Sequence, residues 1–579
     1  VAWKSIYVPL SNLSFNAGKL NPAGLTRADG VVHAGASYAP TPPLFVPTDG
    51  DFTGVTGTPA PVIAHVNLSK RADSGDFTIF VYCNKTFYKI DGLKNALSWP
   101  ISAVGTVDNG PGEQQGGFVS FGRGEVFAAG TDDHVQFMGD GDANFSALFT
   151  SVDKPKAAYV AGFGPQLVFG YIGNPGSAGA TPDPNGSLVW WGAINAPDLI
   201  GNVSSLPKEL TSFQPLNDDF GDVTGIASGL DTALIAKTNA FYKLSIGGAY
   251  GFEVPNVAVG IGLEFSHSMV QLGPDTYFYS TMGPAVFRDG EVRLLGEGAF
   301  ALREMFGESP ADPELSVISA AADLQNGLVC WLVTYKSLPY TYALDADGLP
   351  TETAGAAELT YALLVYNVLV DQLSFAWKVQ ASEGIQIVQE SAPSTARRYI
   401  PLCLVDRIPW QSPLPLAGIG MIVIEDASTL PEGDPNLPRL LLFGLPSTTF
   451  TPQWLVAQNV VLTTGFIPFV GQNVRLMAVE PILRSRRSKI PPGIRVTVRV
   501  AASAHAFERQ YGPFDYATYG DRLRNGLITT PGIPEGGFLA IDLELDYRTV
   551  NSDASVSYAY LVSEIEGLNL LVAPGGQRR

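Results

Sequence analysis

Cysteine is scarce in this sequence. Cys83, Cys330 and Cys403 are far apart, odd in number and set among apolar residues, and no CxxC occurs. That excludes a disulfide framework and a cysteine zinc site, and leaves three small buried hydrophobes. Histidine is also rare. None of the five, His33, His65, His134, His267 and His505, has His, Cys, Asp or Glu at i+2 or i+4, so HExxH and related zinc motifs are missing. They read as satisfied or exposed structural histidines. There is no GxSxG elbow, no P-loop and no copy of the Ser-x-Asp-x-Gly-x-x-Trp box of sialidase-type propellers. No run approaches the ~18 apolar residues of a membrane span. Residues 1–10 lack the apolar stretch of a signal peptide, so the expectation is a soluble chain not exported by a cleaved signal.

Charge is sparse and one-sided. Only 16% of residues are charged, and 55 Asp and Glu against 36 Lys and Arg leave a formal net charge of −19. A groove that grips phosphates draws its affinity from Lys and Arg replacing counterions, so the balance argues against a tight nucleic-acid binder. A surface that nucleic acid slides past is compatible with the balance. So is an acidic protein kept apart by self-repulsion.

What the chain has in quantity is turns and apolar strands. With 62 Gly, 43 Pro and 46% hydrophobic residues, its 579 positions read as a packed, turn-rich globular protein. The clearest stretch runs from Ala233 to Gly298. Leu234 and Ile235 lead through Lys237, Thr238 and Asn239 to Phe241–Leu244; Tyr277–Tyr279 turns at Met282–Pro284 into Ala285–Arg288. Asp289-Gly290 then turns into Val292–Leu295, and Asp-Gly between apolar runs is the strongest short hairpin signal, because a type I′ turn needs positive φ at both central residues.

The same grammar recurs. Phe77–Tyr82 turns at Asn84-Lys85 into Phe87–Ile90, and Gly124–Ala129 turns through Asp132-Asp133 into Val135–Met138. Gly327–Val333 matches Tyr361–Tyr366, which turns into Leu373–Trp377, and Met421–Ile424 matches Leu440–Gly444. Hairpins repeated every few tens of residues predict radial closure as a β-propeller, with a tandem of unrelated sandwiches as the other arrangement.

Three regions follow: an extended arm over residues 1–60 with one or two strands, packing with the platform; a propeller-like domain over 61–450; and a C-terminal β domain, the platform, over 451–579. In the last, Ile494–Val500 and Ile541–Tyr547 alternate strictly, as strands with one solvated face do. The fold class is all-β, a β-propeller-like domain plus a smaller antiparallel platform or sandwich domain. Only 197–210 and 298–306 invite a helix.

Candidate chemistry is thin. Asp140–Asn144 imitates the opening of a calcium loop, but Phe145 and Ser151 stand where the pattern needs Gly and Glu, so it reads as a solvated turn. Asp345–Gly348 is weaker still. The basic cluster Arg484–Lys489 reads as a solvated loop or a contact with an acidic neighbour rather than a phosphate site. Paired glycosidase carboxylates meet in space and leave no sequence mark. No catalytic, cofactor or metal residue is assigned.

The run from Lys156 to Gly170, then Ser187–Asp198 with Trp190, Trp191 and Pro197, resembles the strand followed by W-S-x-x-x-x-P in the tail nozzle proteins of short-tailed bacteriophages. The next segment is similar too. A Gly-x-x-Tyr-x-Phe-Glu turn spans Gly247–Glu253, Gly-Ile-Gly spans Gly260–Gly262, Asp-x-x-Phe spans Asp275–Phe278, and Gly-x-x-x-Phe-x-Asp-Gly ends on Phe287, Asp289 and Gly290. Tyr366-Asn367 before Leu373–Phe375 resembles a later hairpin of that family. The likeness covers residues 75–380 and is only textural beyond; Gly192 and Leu373 replace the usual Ser and Trp.

The resemblance implies a virion protein without enzymatic activity or cofactor, one subunit of a ring, a hexamer, below the head-to-tail adaptor. It would carry tail fibres, spikes or needle proteins and let viral DNA pass through its lumen without specific binding. Carboxylates lining that lumen would repel phosphates; unchanged genome release after their neutralisation would count against this. The competing expectation is a glycan-binding or glycan-cleaving propeller, with Trp190 and Trp191 as the aromatics to locate.

Overall fold

The structure, a computed structural model, describes residues 4–10, 12–13, 24–34, 37–42, 44–45, 64–70, 76–83, 85–92, 99–111, 115–148, 156–173, 185–192, 212–216, 218–228, 232–247, 251–295, 316–337, 340–344, 350–354, 358–388, 396–408, 416–425, 438–444, 454–455, 460–469, 473–485, 493–501, 508–520, 527–530, 534–546, 549–550, 556–557 and 563–575. These residues are almost all strand. Besides strands and the turns and loops that join them, the described residues hold a short helix, Tyr516–Tyr519, and a 3-10 turn, Ser266–Ser268. Both segments that invited a helix lie outside the described residues.

Seven antiparallel blades follow one another along the chain: five are separate sheets, the sixth is the end of an eleven-stranded sheet that runs on into the second domain, and the seventh closes on itself through six strands. Their innermost strands are Ala64–Lys70, Gly117–Phe121, Lys156–Phe163, Val223–Ala227, Val270–Leu272 with the preceding 3-10 turn, Ser316–Asp323 and Ala396–Val405. Each neighbours the next, and Ala396–Val405 returns to Ala64–Lys70, so the circuit is closed. The hydrophobic cores lie between consecutive blades. Phe80, Phe87, Phe127 and Phe145 join blades one and two, with Phe87 stacked on Phe145 at 4.4 Å between centroids. Trp190 packs with Val126 and Phe169 between blades two and three, and Trp191 with Ile235 and Tyr242 between three and four. Phe241, Phe278 and Phe287 fill the gap between four and five. Trp331 lies between five and six, Tyr399 between six and seven, and Cys83 with Cys403 between seven and one. All three cysteines are free and buried, as read from sequence.

The last blade is completed from the other end of the domain. Strands Ala396–Val405, Gly420–Glu425 and Pro438–Phe443 are extended by Leu44–Phe45, which pairs Leu442 with Phe45. The chain enters the propeller on the rim of blade seven and next forms the inner strand of blade one. Unravelling therefore requires breaking strand pairs that are remote in sequence.

The Asp-Gly hairpin forms as its residues dictate. Arg288 pairs with Glu291. Asp289 and Gly290 have φ of 53° and 86°, as a type I′ turn requires.

The second domain is a two-sheet sandwich. One sheet joins Lys4–Pro9, Val31–Ala34 and Ser37–Pro40 to Ser563–Pro574 and Val474–Ser485; the other joins Gly24–Asp29 to Val460–Thr464, Phe538–Asp546, Gly493–Ala501 and Glu508–Asp515. Alternation is the cause. Ile494, Val496, Val498 and Val500 point inward beside Leu539, Ile541, Leu543 and Leu545, and meet Leu476, Val479, Leu568 and Leu570 of the facing sheet. Arg495 and Arg499 point outward to Asp515 and Asp542 at 2.8 and 3.2 Å.

One expectation is corrected. Among the described residues of 1–60 six strands form, rather than one or two: Lys4–Pro9, Asn12–Leu13, Gly24–Asp29, Val31–Ala34, Ser37–Pro40 and Leu44–Phe45. Their partners lie at the far end of the chain or in blade seven, so local pattern underestimates them.

Candidate functional site

The inner strands leave a cavity of about 190 Å³ on the propeller axis. His65, Tyr159, Ile226, His267, Met269 and Leu404 are among the residues that line it, drawn from different blades. His65 comes from the inner strand of blade one and His267 from the 3-10 turn of blade five. Their ring centroids are 4.8 Å apart with planes at 64°. Each Nε2 is buried and makes no hydrogen bond to any described residue.

Burial, and then the neighbouring His267, hold His65 well below the usual histidine range; burial lowers His267 to about 4. Both imidazoles are neutral near pH 7. Tyr159, hydrogen-bonded to Ser266, has its phenol pushed up by burial and stays protonated. No carboxylate is among the described residues lining the cavity.

A second polar group lies between blades one and two. Glu125 is 1% exposed. Ser120 Oγ donates to Glu125 Oε2 at 2.9 Å, and Asn67 Nδ2 to Oε1. Burial raises its carboxyl to about 7, against the lowering by these two donors.

The motif residues fall into core, turn and tether positions. Trp190 and Trp191 are 3% and 4% exposed in interblade cores, where no sugar can stack on them. Gly260 has φ of 83°, and its N–H donates to Asn239 O at 2.9 Å. A Cβ on Gly262 would overlap the Thr238 carbonyl. Phe287 packs in the core between blades four and five, beside the Asp289-Gly290 turn. Tyr366 Oη donates to Asp371 Oδ1 at 2.6 Å. Pro197 lies outside the described residues, as do 345–348 and 486–489 of the other two sequence motifs. In the calcium-like turn, Asp142 Oδ2 accepts the Gly139 N–H at 2.7 Å, and residues 140–144 are all exposed.

Asn367 leads to the junction between domains. Its Nδ2 donates to His33 O at 2.8 Å, linking blade six to an N-terminal strand. Thr41 Oγ1 donates to Ala376 O at 2.6 Å, and Asp29 pairs by its backbone with Phe375. The buried Asp29 carboxylate also takes Lys378 Nζ at 2.8 Å and Arg27 Nε on its other oxygen. Burial lowers the Lys378 ammonium, and Asp29 opposes that shift.

Sequence reasoning did not bring His65 and His267 together, because pairing across a propeller axis has no spacing rule. The one local signal was His267-Ser268-Met269, an imidazole and a thioether two positions apart. Among the described residues, no three His, Cys, Asp or Glu side chains form a metal cluster, and no helix is long and apolar enough to cross a membrane.

No family model matches the chain, and no curated protein matches it. Among solved structures it is similar to apo AztD from Citrobacter koseri, at 12% identity over 76% of this chain and 97% of that one, with a TM-score of 0.31. It is also similar to the dihydro-heme d1 dehydrogenase NirN, at 10% identity over 69% and 78% with a TM-score of 0.27. Kluyveromyces lactis Hsv2 matches at 9% identity over 52% and 99%, TM-score 0.22. The blade assignment rests on the strand pairing of this chain and not on those likenesses.

Proposed function

We propose that the chain is a structural virion protein, a subunit of the ring-shaped tail nozzle that continues the DNA channel of a short-tailed bacteriophage. The observation that carries the reading is the sandwich assembled from both ends of the chain and tied to the rim of blade six. A nozzle subunit needs such a division, with one rigid domain to form the ring and another to project from it. The buried Asp29–Lys378 pair and the Asn367 tether hold the two domains in one orientation. A propeller adds a stiff body with few open strand edges, suited to carrying fibres or spikes.

The formal charge of −19 supports passage of DNA without adhesion. The motif order through Asp289-Gly290 and Tyr366-Asn367 supports the same reading. Native mass spectrometry across a concentration series, alone and with the adaptor encoded by the same genome, tests it. A single closed multiple of the 61.5 kDa chain, six in this reading, is expected. A monomer under every condition overturns it, and cleavage or binding of polysaccharide by that monomer would replace it with the glycan reading.

A further inference from the structure

We infer that the axial cavity binds one soft monovalent metal ion, of the copper(I) class, between His65 and His267 with Met269 as third donor. Two imidazoles line one cavity, and neither buried Nε2 has a hydrogen-bond partner among the described residues. A buried polar atom left without a partner is costly, so the pair calls for a ligand. Two imidazoles sharing one ion at about 2.0 Å, at a near-tetrahedral angle, set their centroids roughly 5 Å apart. The observed separation is 4.8 Å. Cavity volume and an open flank at Gly117, where an added Cβ would meet nothing within 4 Å, leave room for the rings to adjust.

The donor set selects the ion. Calcium and magnesium take oxygen ligands, chiefly carboxylates, and none is among the described lining residues. Imidazole and thioether together favour copper(I). Charge points the same way. No anionic side chain is among the described residues lining the cavity, so a dication would be buried with little compensation, whereas a monocation carries a much smaller desolvation penalty. The ion would bridge blades one and five across the axis. No electron transfer is assigned to it.

The test is anaerobic competition for copper(I) against bicinchoninate on the full-length chain, joined to copper X-ray absorption. The inference predicts one ion per chain with two nitrogen neighbours and one sulfur. It predicts a loss of affinity of at least about a hundredfold for His267→Phe, and about tenfold for Met269→Leu, which conserves volume and keeps the fold. A sulfur-only first shell would assign the copper to the buried thiols and overturn the inference. So would absence of binding, tighter binding of zinc(II) at the same residues, or unchanged affinity in a folded His267→Phe protein. The absorption measurement on the unmodified chain decides the matter even where a histidine variant does not fold.

Discussion

Gly262 shows how little freedom a single position has in this fold. A methyl group there would overlap the Thr238 carbonyl, a backbone atom that cannot rotate away. Gly262→Ala is expected to cost about 1–3 kcal/mol, read as a fall in thermal midpoint, with no effect expected from Gly290→Asn, whose open turn tolerates the left-handed region. Glu125 makes a pH prediction. Its folded-state pKa is raised from 4.5 to about 7, so its contribution is complete below about pH 4.5 and is lost as pH rises through 7. Glu125→Gln removes that dependence. Denaturant titration should show the variant gaining on the parent by up to about 3 kcal/mol between pH 5 and pH 8. Residue-scale reading of the sequence succeeded where the cause was local: Asp289 and Gly290 carry their own turn. It failed for His65 and His267, whose meeting is a property of the closed ring.

Among elements, the alternating strands of the sandwich were legible because a period of two states which side is buried. Leu543 faces the shared core, and Leu543→Ala should cost about 2–5 kcal/mol by chemical denaturation. Arg495 pairs with Asp515 at 2.8 Å on the solvated face, and Arg495→Ala should change stability by less than about 1 kcal/mol. A reversal of that order would mean the strand is turned over. The N-terminal strands were less legible. Gly, Pro and Asn interrupt the first sixty residues, and what fixes Leu44–Phe45 as a strand is Leu442 and Phe443 of blade seven. Such pairing is decided by partners hundreds of positions away, which no local window contains.

At the scale of the whole molecule, both domains depend on the first forty-five residues. Lys4–Pro9 and Gly24–Asp29 belong to the sandwich, and Leu44–Phe45 caps the final blade. A chain beginning at residue 46 should therefore lose cooperative unfolding in both domains, seen as early, broad calorimetric transitions; an unchanged melt would show that the closure is dispensable. The all-β architecture was predictable from repeated hairpins, while the blade count emerged only from the circuit of inner strands. The proposed role depends on how copies of this body assemble. Electron microscopy of the assembled protein is the most direct test. The account predicts a closed ring whose channel wall is the sandwich and whose propellers project outward. Isolated single chains, or a ring with the propellers lining the channel, would contradict it.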